Sequence, residues 1–244
     1  MKKLLTLLLI LCVATTLFAS GFSVNAGGAF DLFSLRTDTV TDSDLYYIFK
    51  GNGLGFDIGV QYDFSRKVMA YADFNMVFPS DFDMCETDGN ISETTTYKSR
   101  IELAENYAKA LTDGKASHLC FLLDASIGAA YKFDFDPIQL AVGGGVYVNL
   151  LRGSVGVTGK LGTASVDSKV VFEFLTVGVS TLIDAKYEIN DNIAVRLAVM
   201  PQVGIFSKRD INEYADGKWD EVASLSGVAV SFTMPVTIGA SYSF

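Results

Sequence analysis

The chain's one histidine, His118, has the makings of a nucleophilic site around it. Ser117 precedes it and Asp124 follows on the same segment, so a nucleophile, a base and an orienting acid are nominally present. Consecutive residues of a strand point to opposite faces, however, which keeps Ser117 and His118 from readily sharing a hydrogen bond. A solvated histidine is the better reading. One His and two distant Cys cannot build a typical zinc site. Gly159-Lys160 sits in a glycine-rich stretch, but Leu161 follows where a phosphate-binding loop needs Ser or Thr. Asp38, Asp42 and Asp44, then Asp81, Asp83, Glu86 and Asp88, could offer oxygens to Ca²⁺, yet their spacing is not that of an EF-hand and a solvated surface is favoured. These residues give no catalytic, cofactor-binding or metal-binding assignment, and the expectation is a protein that is not an enzyme.

What the other charged residues can do depends on the elements that carry them. Leu54, Phe56, Ile58, Val60, Tyr62 and Phe64 alternate with Gly55, Asp57, Gly59, Gln61 and Asp63, a period of two that marks a strand with two different faces. The same alternation recurs around Asp73, around Asp124 and Lys132, along Ile138 to Leu150, and on both sides of Asn190-Asp191-Asn192. A motif repeats at the strand joins: Tyr62-Asp63-Phe64, Tyr131-Lys132-Phe133, Tyr187-Glu188-Ile189 and Tyr242-Ser243-Phe244. Three tight turns with two free strand ends on one side, and longer connections at about 36–50, 79–117, 151–169 and 207–224 on the other, make eight antiparallel strands. On the second long connection, Ser99-Arg100-Ile101-Glu102 reads as a capping box opening a helix to about Thr112, with Gly114 as its stop. Ile101, Ala104, Ala108 and Leu111 would share one face. That helix either caps the rim or dips into the lumen or meets a partner. Gly143-Gly144-Gly145 reads as close packing or bending of the wall, and Pro201 and Pro235 predict bulges or shortened pairing.

The apolar stripes are nearly free of charge, and Tyr62, Phe64, Tyr131, Phe133, Tyr187, Tyr242 and Phe244 gather at one end of them as an interfacial girdle. Such stripes face lipid in a transmembrane barrel and a ligand in a soluble barrel of lipocalin type; the leader favours lipid. Met1-Lys2-Lys3, the apolar run to Phe18 and the small residues at 19–21 read as a signal peptide over residues 1–20, leaving 21–244 as a single barrel domain. The apolar run is short for a membrane anchor, and Leu11 is bulky for lipoprotein processing at Cys12. Without Lys2 and Lys3 the chain carries 17 basic against 28 acidic side chains, a balance that repels nucleic acid. The inward positions then include Asp57, Asp73, Asp124, Lys132, Asp184, Lys186, Glu188 and Arg196. Counting from the Asn190-Asp191-Asn192 turn sets Lys186 opposite Arg196, with Asp184 and Glu188 as diagonal neighbours, so a network of paired charges would fill the lumen. Cys85 and Cys120, flanking the second long connection, permit one disulfide in an exported protein; two unpaired thiols are the alternative.

With these features together, the chain resembles the small eight-stranded outer-membrane barrels, the group that includes the membrane domain of OmpA, OmpX and OmpW. The residues from Val236 to Phe244, with Ile238, Ala240, Tyr242 and Phe244 alternating, resemble the C-terminal signal such proteins present to the barrel-assembly machinery. The resemblance implies an all-β, eight-stranded antiparallel transmembrane β-barrel in the outer membrane of a diderm bacterium. It also implies lipid contact, short periplasmic turns, periplasmic termini, and external loops that can meet an extracellular partner. Three functional classes follow: a structural or interaction barrel with a lumen filled by polar side chains, a narrow passive channel for small or apolar solutes, and, third, a lipid-modifying enzyme. The His and Ser arrangements of the barrel deacylases and acyltransferases have no match here.

Overall fold

The computed structural model describes residues 21–38, 46–87, 92–215 and 217–244; the leader, Asp42, Asp44 and Asp88 lie outside the described residues. In chain order the elements are β1 (Phe22–Asp38), β2 (Tyr46–Asp63), β3 (Val68–Thr87), β4 (Ser92–Thr96), α1 (Tyr97–Ala110), β5 (Thr112–Phe135), β6 (Ile138–Leu161), β7 (Ala164–Glu188), β8 (Ile193–Val199), β9 (Gln202–Ala215) and β10 (Lys218–Ser243). Long strands pair antiparallel in sequence order, β8 and β9 share one stave, and β10 returns to pair with β1 from Ser23↔Ser243 to Ser34↔Phe232. The ring of eight staves is therefore closed through its shared height, and only at the loop end do strand edges stand unpaired, as where β4 pairs with β3 alone.

The tight turns gather at one end of the barrel, the turn end. Two are held by their own side chains: Ser65 Oγ accepts from the Lys67 and Val68 amides at 3.2 and 3.1 Å, and Asn190 Oδ1 accepts from Asn192 and Ile193 at 3.0 and 2.9 Å. Tyr62–Phe64, Tyr131–Phe133 and Tyr242–Phe244 pack as aromatic pairs there, with ring centroids 5.0–5.1 Å apart. At the opposite, loop end the long connections are mostly strand. β6 and β7 stay paired out to Leu161↔Ala164 around a turn at Gly162, whose φ of 63° suits glycine. This corrects the loops expected at 151–169 and 207–224: the alternation persists there, but with polar residues on its outer face.

The faces decide between the two barrel types. Leu54, Ile58, Ile127, Val146, Leu197 and Ile238 are exposed on the outside, Leu54 by 70%, while Asp57, Asp73, Asp124, Asp184 and Arg196 are buried within. A soluble ligand-carrying barrel has the reverse arrangement. Along β6 the outward apolar positions run from Ile138 to Leu150 and stop at Arg152, which pairs with Glu173 of β7 at 3.1 Å. That stretch covers roughly 30 Å of height at ordinary strand rise and tilt, enough for a hydrocarbon core. Beyond it β5, β6, β7, β9 and β10 continue as a collar at the loop end.

Three local irregularities shape the interior. Met200 and Pro201 separate β8 from β9; Met200 donates to the Pro235 carbonyl and Thr181 to that of Pro201, while Pro235 itself stays within β10. The register of β3 against β2 shifts between Pro79 and Phe82, and that of β9 against β7 shifts at Ile205. The helix begins earlier than its sequence suggests: Thr96 is the N-cap, its hydroxyl accepting from the Ser99 amide at 3.0 Å, and Ser99 Oγ accepts in return from the Thr96 amide. Ser99, which opens the predicted box at Ser99–Glu102, is thus the closing member of the real one at Thr96–Ser99.

Within the wall, β5 and β6 face each other through Gly128↔Gly145 and Ala129↔Gly144. A Cβ at Gly128 would lie 2.6 Å from the Tyr71 hydroxyl and 2.3 Å from the Gly144 carbonyl oxygen. Gly128→Val is expected to destabilise the folded barrel by about 1–3 kcal/mol through overpacking. Urea midpoints of the refolded variant and parent, followed by the heat-dependent gel shift, check this.

Candidate functional site

The interior is stacked in tiers. Nearest the turn end, Lys132 pairs with Asp63 at 2.5 Å. The next tier centres on Arg196, whose three nitrogens each take a different carboxylate: Nη1 to Asp57 at 3.0 Å, Nη2 to Asp73 at 2.9 Å and Nε to Asp184 at 3.1 Å. Gln61 bridges onward, its Nε2 donating to Asp184 at 2.6 Å and its Oε1 accepting from Lys186 Nζ at 2.5 Å. Arg196 is only 1% exposed, so each carboxylate offsets a desolvation that would otherwise be very costly. Lys186 does face Arg196 in the ladder.

Other expected members lie elsewhere. Asp124 belongs to a separate tier, where Gln202 Nε2 donates to its Oδ1 at 2.9 Å and Thr233 donates to Gln202 Oε1. Glu188 shares the inward parity of Asp184 and Lys186 but is exposed, because it is the last rung of β7 and has cleared the lumen. Gln61, Asp63 and the buried Asp31, which accepts from the Met234 amide at 3.2 Å, were not singled out from sequence. Gln61 and Asp63 lie on the same alternating face as Asp57, which is the signal that could have found them.

Above these tiers the filling turns apolar. Phe33, Phe49, Phe82, Tyr97, Phe172 and Phe174 interlock, with Phe82 stacked on Tyr97 at 5.0 Å and Phe49 on Phe172 at 5.8 Å. The β3 bulge puts two successive outward residues, Ser80 and Asp81, before Phe82 and so turns Phe82 inward. Tyr97 descends from the first turn of α1, its hydroxyl donating to the Ser154 carbonyl at 3.0 Å, and burial pushes that hydroxyl's pKa upward. Asp81 ties bulge to helix, its Oδ1 accepting from the Phe82 and Lys98 amides, both at 3.0 Å.

On this aromatic floor rests a cavity of about 340 Å³, within the collar and under α1. Leu103, Ala104 and Tyr107 of α1 form one wall; Val155, Val157, Val170 and Ile211 form the other. Two arginines line it, Arg100 on α1 and Arg209 on β9, and its described lining has no carboxylate. Arg209 faces in because Ile205 and Phe206 both point outward at the β9 bulge, reversing the parity of Gln202 and Gly204. Its guanidinium lies over the Tyr47 ring, 3.3 Å from the centroid.

The other candidate chemistry is not assembled. Ser117 and His118 are both exposed on β5, opposite Gly156 and Val155, and Asp124 lies roughly 20 Å further along the strand. Cys85 and Cys120 are free thiols, which corrects the disulfide expected between them. Pairing of β3 with β5 ends at Val77↔Leu122, so in that register Cys120 sits level with Pro79 and roughly 20 Å from Cys85. Among the described residues no group of three or more His, Cys, Asp or Glu is placed to hold a metal ion.

No family model matches the chain, and no curated protein is similar to it in sequence. Its fold is similar to that of a major outer membrane protein from Thermus thermophilus, at 15% identity and a TM-score of 0.52 over 90% of this chain and 99% of that one. It is similar also to the outer membrane protease OmpT from Escherichia coli, at 8% identity and a TM-score of 0.51 over 93% and 97%. OprG from Pseudomonas aeruginosa matches at 12% identity and a TM-score of 0.47 over 93% and 97%. The fold is that of the bacterial outer-membrane β-barrels, and the small eight-stranded members are among the structures it resembles.

Replacing Arg196 by Ala would leave Asp57, Asp73 and Asp184 facing one another with their shared cation gone. A loss of about 3–5 kcal/mol is expected, with a smaller loss for Arg196→Lys, which keeps the charge but not the three-way fork. Urea unfolding of the refolded variants measures both.

Proposed function

We propose that the protein is a surface barrel with a binding role. Its loop end faces the exterior, its turn end and termini face the periplasm, and its leader is removed on export. The observation that supports this reading is the blind end of the collar cavity. The cavity stops on Phe49 and Phe172, and below them the lumen is crossed by the Asp124–Gln202–Thr233 and Arg196 tiers. A molecule that enters from the loop end is held there and has no open way through. A non-enzymatic role fits the separation of Ser117 and His118 from Asp124.

A narrow pathway for small solutes is the second reading, and one observation favours it. Among the described residues, the buried side chains of Asn25, Thr237 and Ser241, along β1 and β10, have no hydrogen-bond partner. Such groups are commonly satisfied by water, which is what a wet track along the wall would supply.

In a planar bilayer the purified protein is expected to give no steady open-channel conductance; stable steps would move the pathway reading ahead. Assembly through the C-terminal residues Ile238, Ala240, Tyr242 and Phe244 carries its own expectation. Phe244 packs against Phe22 with centroids 6.0 Å apart, and its amide donates to the Phe22 carbonyl at 3.0 Å. Deleting Phe244 should therefore lower the yield of protein in the outer membrane, and immunoblots of fractionated membranes read the outcome. Unchanged yield would remove the assembly machinery as a partner through this residue.

A further inference from the structure

The described lining of the collar cavity differs in charge from the chain as a whole. The chain as a whole carries a net charge of −9, yet the described lining offers two guanidinium groups and no carboxylate. Arg209 is buried on the β9 side, oriented by its stacking on Tyr47, while Arg100 is exposed on the first turns of α1. The remainder of the lining is mainly apolar. Leu103 and Tyr107 are the telling part: they are 57% and 63% exposed, yet they line this cavity. A helix that leaves large apolar side chains uncovered over a pocket presents surface that an apolar ligand would cover.

On the reading of this cavity as the binding site, we infer that its ligand is a single-chain anionic amphiphile, a free carboxylate with an aliphatic tail that arrives from the loop-end solvent. The tail lies along Leu103, Tyr107 and Ile211 over the aromatic floor. The carboxylate accepts hydrogen bonds from Arg209, and Arg100 closes over it from the helix. Guanidinium groups suit a carboxylate because their planar donors match its two oxygens. At about 340 Å³ the cavity is near the lower end of the range for small-molecule sites, roughly 300–1,000 Å³, which disfavours a two-chain bilayer lipid.

Cys85 provides a local reporter, since it is a free, half-buried thiol that lines the same cavity. The full barrel is placed in phosphatidylcholine nanodiscs and treated with a maleimide, and the rate at Cys85 is followed by peptide mass spectrometry. Decanoate, decanol and decyltrimethylammonium are compared at equal membrane-bound concentrations. Decanoate is expected to slow labelling at concentrations about tenfold lower than the other two, the advantage of a charge-assisted hydrogen bond. Arg100→Gln and Arg209→Gln should each erase that preference while the gel shift on heating is retained; Arg100 is exposed, so its variant tests the idea even if Arg209→Gln does not fold. Equal protection by all three amphiphiles, or a preference that survives in Arg100→Gln, would overturn the anion assignment and leave the binding reading standing. Nanodiscs containing phosphatidylglycerol form a second arm: protection there, with none from decanoate in phosphatidylcholine, would overturn the free-acid source. If neither the three amphiphiles nor the anionic lipid protects Cys85, the binding reading of the cavity falls as well.

Discussion

Hydrocarbon offers no partner for a backbone N–H or C=O, and that single constraint orders the molecule. It requires β10 to find β1, because an unpaired edge in lipid would leave a row of polar groups unsatisfied. Closure then divides every strand into a lipid face and a lumen face. Leu54, Ile58 and Ile238 can remain uncovered by protein only because the medium around them is apolar. The opposite side of the same strands receives the charges, which must answer one another in a space too narrow for bulk water. The Arg196 tier is the result: one cation placed where three strands each deliver a carboxylate.

The interior has two storeys, and the change between them comes from the backbone. Up to Val77 on β3 and Gly204 on β9, strict alternation sends one parity of side chain inward, Asp73, Asn75 and Gln202 among them beside the apolar Met69, Leu182 and Met200. The bulges at 80–81 and at Ile205 then reverse the parity, so Phe82 and Arg209 enter positions that unbroken strands would have given to their neighbours. The aromatic floor and the arginine-bearing cavity both stand above this reversal. α1 completes them because Tyr97 is long enough to reach the floor while Asp81 holds the helix's first turn to the bulge.

Period-two alternation made most of the barrel legible. It placed Asp57, Asp73 and Asp184 on the inner face, and counting from the Asn190 turn gave the Lys186–Arg196 register seen in the ladder. Beyond Asp31 and Asp63, what escaped was whatever breaks the period or lacks a charge. Gln61 links Lys186 to Asp184 without a charge to mark it. No residue type announces the bulge at Ser80-Asp81, and with it the inward turn of Phe82, so a lumen largely filled by polar side chains was expected where the upper part is aromatic. Residues 151–169 looked like loop because their outer face turns polar, yet that change reflects leaving the membrane rather than leaving the sheet. Glu188 shows the converse limit: parity gives a residue's face but not whether the wall is still there at its height.

The three carboxylates on Arg196 come from β2, β3 and β7, and two of them lie more than a hundred residues from it in the chain. The network therefore cannot exist in a half-built barrel; it waits for one of the last staves to arrive. A slip of β8 by one residue would turn Arg196 toward lipid and leave its carboxylates stranded inside without their cation. The buried ion tier thus acts as a combination lock on strand order, opening to the native state only when early and late segments are aligned to the residue. A sheet whose outer faces carry interchangeable Val, Ile and Leu has few other ways to count its own rungs.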